Sequence, residues 1–404
     1  MLLSDLGADV IKVENPLTNG DDTRSWAPPG ATSLPSTKFP SWVSPEEKKR
    51  WESLPDESAY FLSVNRGKRS LTLDFKSPES KEVMRRLIQS ADVVIENYLP
   101  GKLDKMGLGY EQVKAIKEDV VYASLTGYGQ TGPYANAPGY DVIIAADAGF
   151  FHITGYPDRP GIKCGVAITD LTTGLYVHGA ILASLLGRTK TGKGVHIDSS
   201  LFDSQIASLA NVGSSYLVAG KEGGRHGTAH PSIVPYQVFP TQDSFLMVGA
   251  GNDGQFRLLA DTLGHPDLAS ASGRYATNGA RVANREELIP LLSGLFSQQP
   301  NAYWLQRLEG RLPIAPIRNI QQTFEHPQAV ARGIVSEMEH PRIGNLKVVS
   351  PAVVYGQGRM PLTRPPPVLG QHSYEVLQEL GYSDGEMEGM EKAVGFVPRP
   401  PVAA

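Results

Sequence analysis

The sequence predicts an α/β protein with a large domain on a doubly wound, mostly parallel, Rossmann-like sheet and a smaller α+β domain. Three observations lead to this prediction. Between residues 59 and 205, short β-branched runs alternate with helical stretches, which is typical of parallel strands joined by crossover helices. Beyond the glycine-rich residues 220–231 this alternation stops. The length of 404 residues also exceeds the usual size of a domain with one hydrophobic core.

The elements of the large domain are predicted from the spacing of its apolar residues. Residues 1–7 have the pattern of a helix end closed by Gly7, so we expect an opening strand and most of a helix to belong before them. Val83, Leu87 and Ile88 mark the buried face of a helix over residues 77–90. The predicted strands are residues 8–14, 70–74, 92–96, 120–125 and 195–198, and the further helices are 110–117, 171–186 and 201–217.

Changes in sequence texture set the predicted domain boundaries. We assign residues 1–218 to the large domain, 219–330 to the small domain and 331–404 to a segment that returns to the large domain. The proline-rich residues 29–58 interrupt the large domain and predict a surface excursion with one short helix. The elements predicted after residue 218 are a strand at 244–248 and helices at 253–263, 285–297 and 373–380.

The composition is that of a soluble globular protein, with 41% hydrophobic and 20% charged residues. A formal net charge of −4 argues against nucleic acid or a membrane surface as a partner. No apolar stretch approaches the roughly 20 residues that span a bilayer. Cys164 is the only cysteine, which excludes an internal disulfide and favours a reducing compartment.

Two glycine-rich segments imitate nucleotide-binding motifs. Residues 127–132 match G-x-G-x-x-G after a strand, but Pro133 follows and no helix opens there, as the dinucleotide motif requires. Residues 187–193 resemble a P-loop, yet Gly194 stands where a magnesium-binding hydroxyl belongs. We therefore expect a helix-to-strand turn at the second segment. A metal site is not predicted either, because metal-ligand spacing is missing among His152, His178, His196, His226 and His230.

Asp170 stands directly before the long apolar helix, in the predicted N-cap position. Two interpretations are open from the local sequence. The residue caps the helix, as Asp commonly does, or it is a functional carboxylate that backbone N–H groups and the helix dipole keep ionised. A carboxylate held as an anion in an apolar pocket is a usable nucleophile toward a thioester.

Segments along nearly the entire chain resemble the family III CoA-transferases of the CaiB/BaiF type. Each segment alone is weak, but their shared order and spacing are highly specific. The matching segments are residues 1–14 (MLLSDLGADVIKVE), 65–70 (NRGKRS), 73–76 (LDFK), 96–101 (ENYLPG), 106–107 (MG), 125–133 (LTGYGQTGP) and the region of Asp170. The resemblance implies a ring-shaped subunit that forms an interlocked homodimer.

The resemblance also implies roles for single residues. Asp170 aligns with the catalytic aspartate, which forms a mixed anhydride with the acyl group and then an aspartyl-CoA thioester. A CoA thioester is therefore expected as substrate, with no permanently bound cofactor. The positions that contact coenzyme A in the family are Leu73, Lys76, Asn97, Tyr98, Lys105 and Met106. Lysine suits phosphates, and tyrosine and methionine suit adenine or pantetheine. A strand-core Leu73 and a solvated Lys76 and Lys105 are the alternatives.

Other segments resemble those family members that pass CoA from succinyl-CoA to short dicarboxylic acids such as glutarate or hydroxymethylglutarate. Arg66 is the candidate that holds the acceptor's spare carboxylate, since a guanidinium grips a carboxylate with two hydrogen bonds; a structural salt bridge is the alternative. His230 is a second pocket candidate, with a loop histidine bonded to backbone as its alternative. The resemblance implies the mitochondrial matrix, with the cytoplasm as the other possibility. The segments are residues 61–66 (FLSVNR), 227–230 (GTAH), 232–237 (SIVPYQ), 249–252 (GAGN) and 364–371 (RPPPVLGQ).

Two other functions are open at this point. The α-methylacyl-CoA racemases resemble the same family but carry His in a Gly-His-Asp segment, where this chain has Gly139-Tyr140-Asp141. Tyrosine, with a pKa near 10, is a poor proton-transfer group at neutral pH. A catalytically silent CoA-binding protein is the second alternative. In the family the opening strand contributes CoA contacts, and that strand is the one expected to belong before residue 1. The long polyglycine gate of the formyl-CoA transferase branch is absent, and Gly223-Gly224 is a modest counterpart.

Overall fold

The computed structural model describes residues 1–27, 44–54, 57–356 and 358–394. They form two compact units. The first consists of Met1–Ala137, Gly174–Ser199 and the described part of Phe324–Ala404, and the second of Pro138–Thr173 and Ser200–Thr323. This division differs from the predicted one, because residues 138–173 and 200–218 group with the second unit and residues 324–330 group with the first.

The helices and strands follow the predicted alternation closely in the first half of the chain. The helices are α1 (Leu2–Asp5), α2 (Pro45–Glu52), α3 (Ala59–Val64), α4 (Pro78–Ser90), α5 (Tyr110–Ile116), α6 (Asp141–Asp147), α7 (Phe150–Ile153), α8 (Ile168–Thr191), α9 (Leu201–Ala207), α10 (Ala210–Ala219), α11 (Asp253–Thr262), α12 (Asn278–Ala283), α13 (Arg285–Phe296), α14 (Asn301–Leu308), α15 (Ile320–Phe324), α16 (Pro327–Ala331), α17 (Ser373–Glu379) and α18 (Asp384–Val394). The strands are β1 (Val10–Glu14), β2 (Lys68–Thr72), β3 (Val93–Glu96), β4 (Val121–Thr126), β5 (Val195–Ser200), β6 (Tyr236–Pro240), β7 (Phe245–Gly249), β8 (Ile314–Pro316), β9 (Val335–His340), β10 (Gly344–Val349), β11 (Val354–Tyr355) and β12 (Gly358–Arg359).

Parallel strands form the sheets in the N-terminal half of the first unit, which confirms a mixed α/β fold with parallel sheets. β1 pairs with β2 in parallel, β3 pairs with β4 in parallel, and β5 lies on the other side of β4. Helix α4 follows β2 because Ser77 caps it and Val83 and Leu87 pack against Leu71. One expectation was wrong: within the described residues these strands form two separate sheets, β1–β2 and β3–β4–β5, and not the single sheet that was predicted.

The C-terminal segment packs on the N-terminal elements of the first unit. Leu377 of α17 and Met387 of α18 share a hydrophobic core with Leu71 of β2. The antiparallel hairpin β9–β10 contributes Leu346 to a second core with Phe61 of α3. The chain therefore returns, after residue 330, to the elements with which it begins. In the proline-rich excursion α2 is the predicted short helix, and residues 29–43, 55 and 56 lie outside the described part of the chain.

An antiparallel sheet with helices packed on it forms most of the second unit. The strand order is β6–β7–β8, and Val248 of β7 lies opposite Ile314 of β8. Phe239 stacks on Phe296, and Trp304 meets Phe296 edge-on, in a core that α11, α13 and α14 complete. These aromatic contacts bury the apolar face of the sheet, as the predicted α+β texture requires.

The predicted single helix over residues 201–217 was wrong, because the structure divides it into α9 and α10. Ala210 has φ of 47°, which is left-handed backbone. Continuous α-helical hydrogen bonding does not pass through such a residue. Neither Gly nor Pro stands at the break, so the sequence carried no local signal for it.

Candidate active site

Asp170 lies in the first turn of α8, which begins at Ile168. The predicted N-cap position was wrong, because helical hydrogen bonding starts before Asp170: the N–H of Leu171 donates to Ala167 O at 3.0 Å. Asp170 is exposed to solvent, as a group that meets a substrate must be. Its carboxyl therefore belongs to the helix itself and not to the cap.

The first turn of α8 is capped by a residue from another helix. Asp141 Oδ1 accepts hydrogen bonds from the backbone N–H of Thr169 at 2.8 Å and of Asp170 at 3.1 Å. Asp141 is the first residue of α6. Its carboxylate satisfies two donors that would otherwise lack a partner in the helix. This role of Asp141 was not predicted, because in the sequence residues 139–141 were compared only with the racemase segment.

Thr169 connects the same turn to helix α9. Its Oγ1 donates to Gln205 Oε1 at 2.7 Å, and Gln205 Nε2 donates to Ser208 Oγ at 2.8 Å. One turn later, Thr173 Oγ1 donates to Thr169 O at 2.8 Å. Thr169, Thr173 and Gln205 are buried. Because these buried polar groups are paired, the backbone that carries Asp170 is held in one position.

The surroundings of Asp170 make its carboxyl less acidic than usual. Desolvation by the protein and the negative charge of Asp141 raise the pKa of Asp170 to about 6. We had expected the N–H groups at the helix start to favour the anion, but two of them donate to Asp141 instead. Above neutral pH the carboxyl is still mostly ionised, so it remains able to attack an acyl carbon.

The residues predicted to contact coenzyme A all follow carboxyl ends of strands in the first unit. Leu73 and Lys76 come after β2, Asn97 and Tyr98 come after β3, and Lys105 and Met106 lie in the 3₁₀ turn Asp104–Met106 beyond β3. Open α/β sheets bind ligands outside the carboxyl ends of their strands. The positions fit that rule, and their contact with coenzyme A stays a prediction.

These side chains differ in how far a ligand can reach them. Lys76, Asn97 and Lys105 are exposed. Tyr98 is half-buried, and Lys102 Nζ lies 4.7 Å from the centroid of its ring, which adds a cation that we did not predict. Leu73 has no exposed surface and packs in the core with Leu71, so the strand-core interpretation describes its side chain.

Arg66 is paired with a carboxylate of the protein itself. Its Nε and Nη2 donate to the two carboxylate oxygens of Asp5 at 3.0 and 2.6 Å. Both side chains are almost fully buried, at 4% and 8% exposure. The structural salt bridge is therefore present, and an acceptor carboxylate would have to compete with Asp5 for this guanidinium.

His230 lies in the loop before β6 and is bonded to its own loop. Its Nδ1 accepts from Ser232 N at 3.0 Å, and its ring meets Tyr236 edge-on at 5.6 Å. The alternative of a loop histidine bonded to backbone thus describes these contacts. His230 and Asp170 belong to the second unit, whereas Arg66 and the predicted CoA contacts belong to the first.

Neither of the two glycine-rich segments, residues 127–132 and 187–193, adopts the structure of the nucleotide-binding motif that its sequence resembles. After β4 ends at Thr126 the next helix begins only at Asp141, so no helix opens at residues 127–132. Residues 187–193 cover the end of α8 and the turn to β5, where Gly192 has φ of 66°.

Within the described ranges, no three His, Cys, Asp or Glu side chains group as metal ligands. None of the helices there has the length and hydropathy of a membrane span.

Comparison with known proteins extends these observations. The model of the family described as CoA-transferase family III matches residues 1–373. A succinyl-CoA:glutarate CoA-transferase of Homo sapiens is 45% identical over 398 residues, which cover 98% of this chain and 85% of that protein. A succinate–glutarate CoA-transferase of Agrobacterium fabrum is 42% identical over 94% of this chain and 90% of that protein. A CaiB/BaiF family protein from Brucella suis superposes with a TM-score of 0.79 at 42% identity, covering 94% of this chain and 93% of that structure.

Proposed function

The chain belongs to CoA-transferase family III and is a CoA-transferase, and from that premise we propose that it transfers coenzyme A from succinyl-CoA to glutarate with Asp170 as the covalent nucleophile. The observation that carries the proposal is the placement of Asp170: an exposed carboxyl in the first turn of α8, on backbone fixed by Asp141 and Gln205. Relatives that share over two-fifths of the sequence carry this substrate pair in their names.

The reaction begins when the Asp170 carboxylate attacks the thioester carbon of succinyl-CoA. The C–S bond breaks, and a mixed anhydride and CoA thiolate form. The thiolate then attacks the Asp170 carbonyl of the anhydride. Succinate leaves with one oxygen that came from Asp170, and an aspartyl-CoA thioester remains.

Glutarate completes the transfer by the reverse sequence. Its carboxylate attacks the aspartyl-CoA thioester, releases CoA thiolate and forms a second anhydride. The thiolate attacks the glutaryl carbonyl of that anhydride, which gives glutaryl-CoA and frees the Asp170 carboxylate. Every step exchanges a carboxylate for a thiolate or the reverse, so no strong general base is required.

Cations near the strand ends of the first unit supply the expected contacts for the phosphates of coenzyme A. Lys76 and Lys105 are exposed lysines after β2 and β3, and Lys102 stands over the ring of Tyr98. Ammonium groups form charge-assisted hydrogen bonds with phosphate, and an aromatic face stacks on adenine or packs on pantetheine. Lys76, Lys105 and Tyr98 are thus proposed to hold the carrier, and Asp170 to react with the acyl group.

A homodimer is the proposed functional form. Large apolar side chains are exposed on α8 and α10, among them Leu186 at 67%, Leu217 at 84% and Val218 at 88%. Large exposed apolar side chains that adjoin one another, as Leu217 and Val218 do in sequence, are typical of protein interfaces. Light scattering should give twice the chain mass of 43.6 kDa, and a monomeric mass contradicts this part of the proposal.

The test of the proposed reaction mixes the purified protein with succinyl-CoA and glutarate and follows glutaryl-CoA by chromatography. Wild type should form it, and Asp170→Ala should lose at least about 10³-fold in kcat. Asp158→Ala, which removes an exposed carboxylate of the same unit, is the matched control and should keep wild-type activity. Exchange of the α-proton without acyl exchange would indicate a racemase, and neither reaction would indicate a silent CoA-binding protein; both outcomes contradict the proposal.

A further inference from the structure

We propose that Asp141 is a positioning residue for acyl transfer, which fixes the backbone of Asp170 and places a second carboxylate charge at the same helix start. This inference rests on the proposed function. It gives Asp141 two separable roles, one through its hydrogen bonds and one through its charge.

The hydrogen-bonding role follows from the geometry at the start of α8. One oxygen of Asp141 accepts from two consecutive N–H groups, those of Thr169 and Asp170, at 2.8 and 3.1 Å. The second of these donors is the backbone of the nucleophile itself. Helix α6, which begins with Asp141, packs on α9, and Gln205 of α9 holds Thr169. Three helices therefore converge on one turn, and Asp141 is the contact that reaches the nucleophile's own peptide unit.

The charge role follows from placing two carboxylates at one helix start. The other ionisable side chains on the surrounding elements are Asp147 on α6, His152 on α7 and Asp203 on α9. The charge that acts on Asp170 is that of Asp141, and together with desolvation it raises the pKa of Asp170 to about 6. A free Asp170 anion is thus held next to a like charge. That repulsion disappears when Asp170 becomes an anhydride or a thioester, because neither carries the negative charge.

A more basic Asp170 also affects which bond of each anhydride breaks, and it favours the productive bond in the first half of the reaction. In the succinyl anhydride the thiolate can attack either carbonyl carbon. Attack at the Asp170 carbonyl expels succinate, whereas attack at the succinyl carbonyl expels Asp170 and regenerates succinyl-CoA. The weaker base leaves faster. An Asp170 with a raised pKa is the poorer leaving group, which favours the aspartyl-CoA thioester and succinate from the succinyl anhydride and disfavours expulsion of Asp170 from the glutaryl anhydride.

Two substitutions separate the hydrogen bonds from the charge. Asp141→Asn keeps an oxygen that accepts from both N–H groups and removes the charge, whereas Asp141→Ala removes both. Asp147→Asn on the same helix is the matched control for loss of one charge. For each variant, kcat/KM for succinyl-CoA is measured from pH 5 to 8, and the carboxyl carbon of Asp170 is titrated by NMR in protein labelled with ¹³C-aspartate, with Asp170→Asn to assign the signal.

The acid limb of the Asp141→Asn profile should move down by about 0.5–1 pH unit, with the NMR midpoint, and kcat/KM for succinyl-CoA at pH 7.5 should fall about 2–3-fold. Asp141→Ala should show the same shift and a lower melting temperature as well. Asp147→Asn should match wild type. An Asp141→Asn profile and NMR midpoint equal to those of wild type overturn the inference, since a purely structural cap predicts that result. If wild type forms no glutaryl-CoA, the proposed function fails, and the NMR titration still decides whether Asp141 raises the pKa of Asp170.

Discussion

The guanidinium of Arg66 and the carboxylate of Asp5 form a bidentate ion pair, with both side chains almost fully removed from solvent. Asp5 closes α1 and Arg66 lies two residues before β2 begins at Lys68, so the pair ties α1 to the first sheet. A buried charge that loses its partner keeps its desolvation cost and loses the attraction that offset it.

Arg66→Ala should therefore lower the free energy of unfolding by about 3–5 kcal/mol, because it leaves Asp5 buried and unpaired. Urea unfolding followed by circular dichroism measures the loss. The double variant Arg66→Met with Asp5→Leu should recover more than half of it, since neither charge remains. An Arg66→Ala variant with the same urea midpoint as wild type would show that the pair adds nothing to stability.

The pH dependence of the reaction should report the ionisation of Asp170. Because its pKa is raised to about 6, the reactive carboxylate is lost as the pH falls through that value. About nine-tenths of the groups are ionised at pH 7 and about one-tenth at pH 5, so kcat/KM for succinyl-CoA should fall about tenfold between them. A profile that stays flat down to pH 5 would contradict this environment for Asp170.

Loss of a lysine at the strand ends should weaken binding of the carrier and not of the acceptor. Lys105→Ala and Lys76→Ala should each raise KM for succinyl-CoA about 5–10-fold, as expected for one lost phosphate contact, and leave KM for glutarate unchanged. Both side chains are exposed, so the fold should persist. Lys81→Ala removes an exposed lysine of α4 and serves as the control. Equal KM values in all three variants would place the phosphates elsewhere.

The left-handed backbone at Ala210 should be a point of strain. A residue with a Cβ atom pays roughly 1–2 kcal/mol in this region, which glycine avoids. Ala210→Gly should raise the free energy of unfolding by about 1 kcal/mol, whereas Ala183→Gly within α8 should lower it by about 1 kcal/mol. Chemical denaturation of both variants tests whether the free energy of unfolding rises in the first and falls in the second. Destabilisation by Ala210→Gly would show that the backbone there is relaxed.

Local periodicity predicted much of the first half of the fold. Helix α4 begins after Ser77 and ends at Ser90, as its cap and the spacing of Val83 and Leu87 indicate. The break before α10 could not be predicted in this way, because an alanine holds the left-handed backbone and no Gly or Pro marks it. Tertiary contacts and not local preference decide such a position.

The candidate site shows the same division. The family resemblance identified Asp170 as the candidate nucleophile. Its position inside α8 was not predicted, because the cap of that helix comes from Asp141 at the start of another helix. A carboxylate that caps a helix from 29 positions away leaves no local pattern at the helix it caps. Likewise, an arginine such as Arg66 suits a dicarboxylate site, and only the structure shows that its guanidinium is already paired with Asp5.

The covalent role of Asp170 is tested most directly by following oxygen. In the proposed mechanism one carboxylate oxygen of the acceptor stays on Asp170 after glutaryl-CoA forms. Tryptic cleavage after Lys163 and Arg188 gives a peptide in which Asp170 is the sole acidic side chain. After turnover with succinyl-CoA and glutarate labelled in its carboxylates with ¹⁸O, this peptide should gain mass in one-oxygen steps. Without succinyl-CoA it should gain none. Glutaryl-CoA that forms while the Asp170 peptide keeps its natural mass would contradict the covalent mechanism.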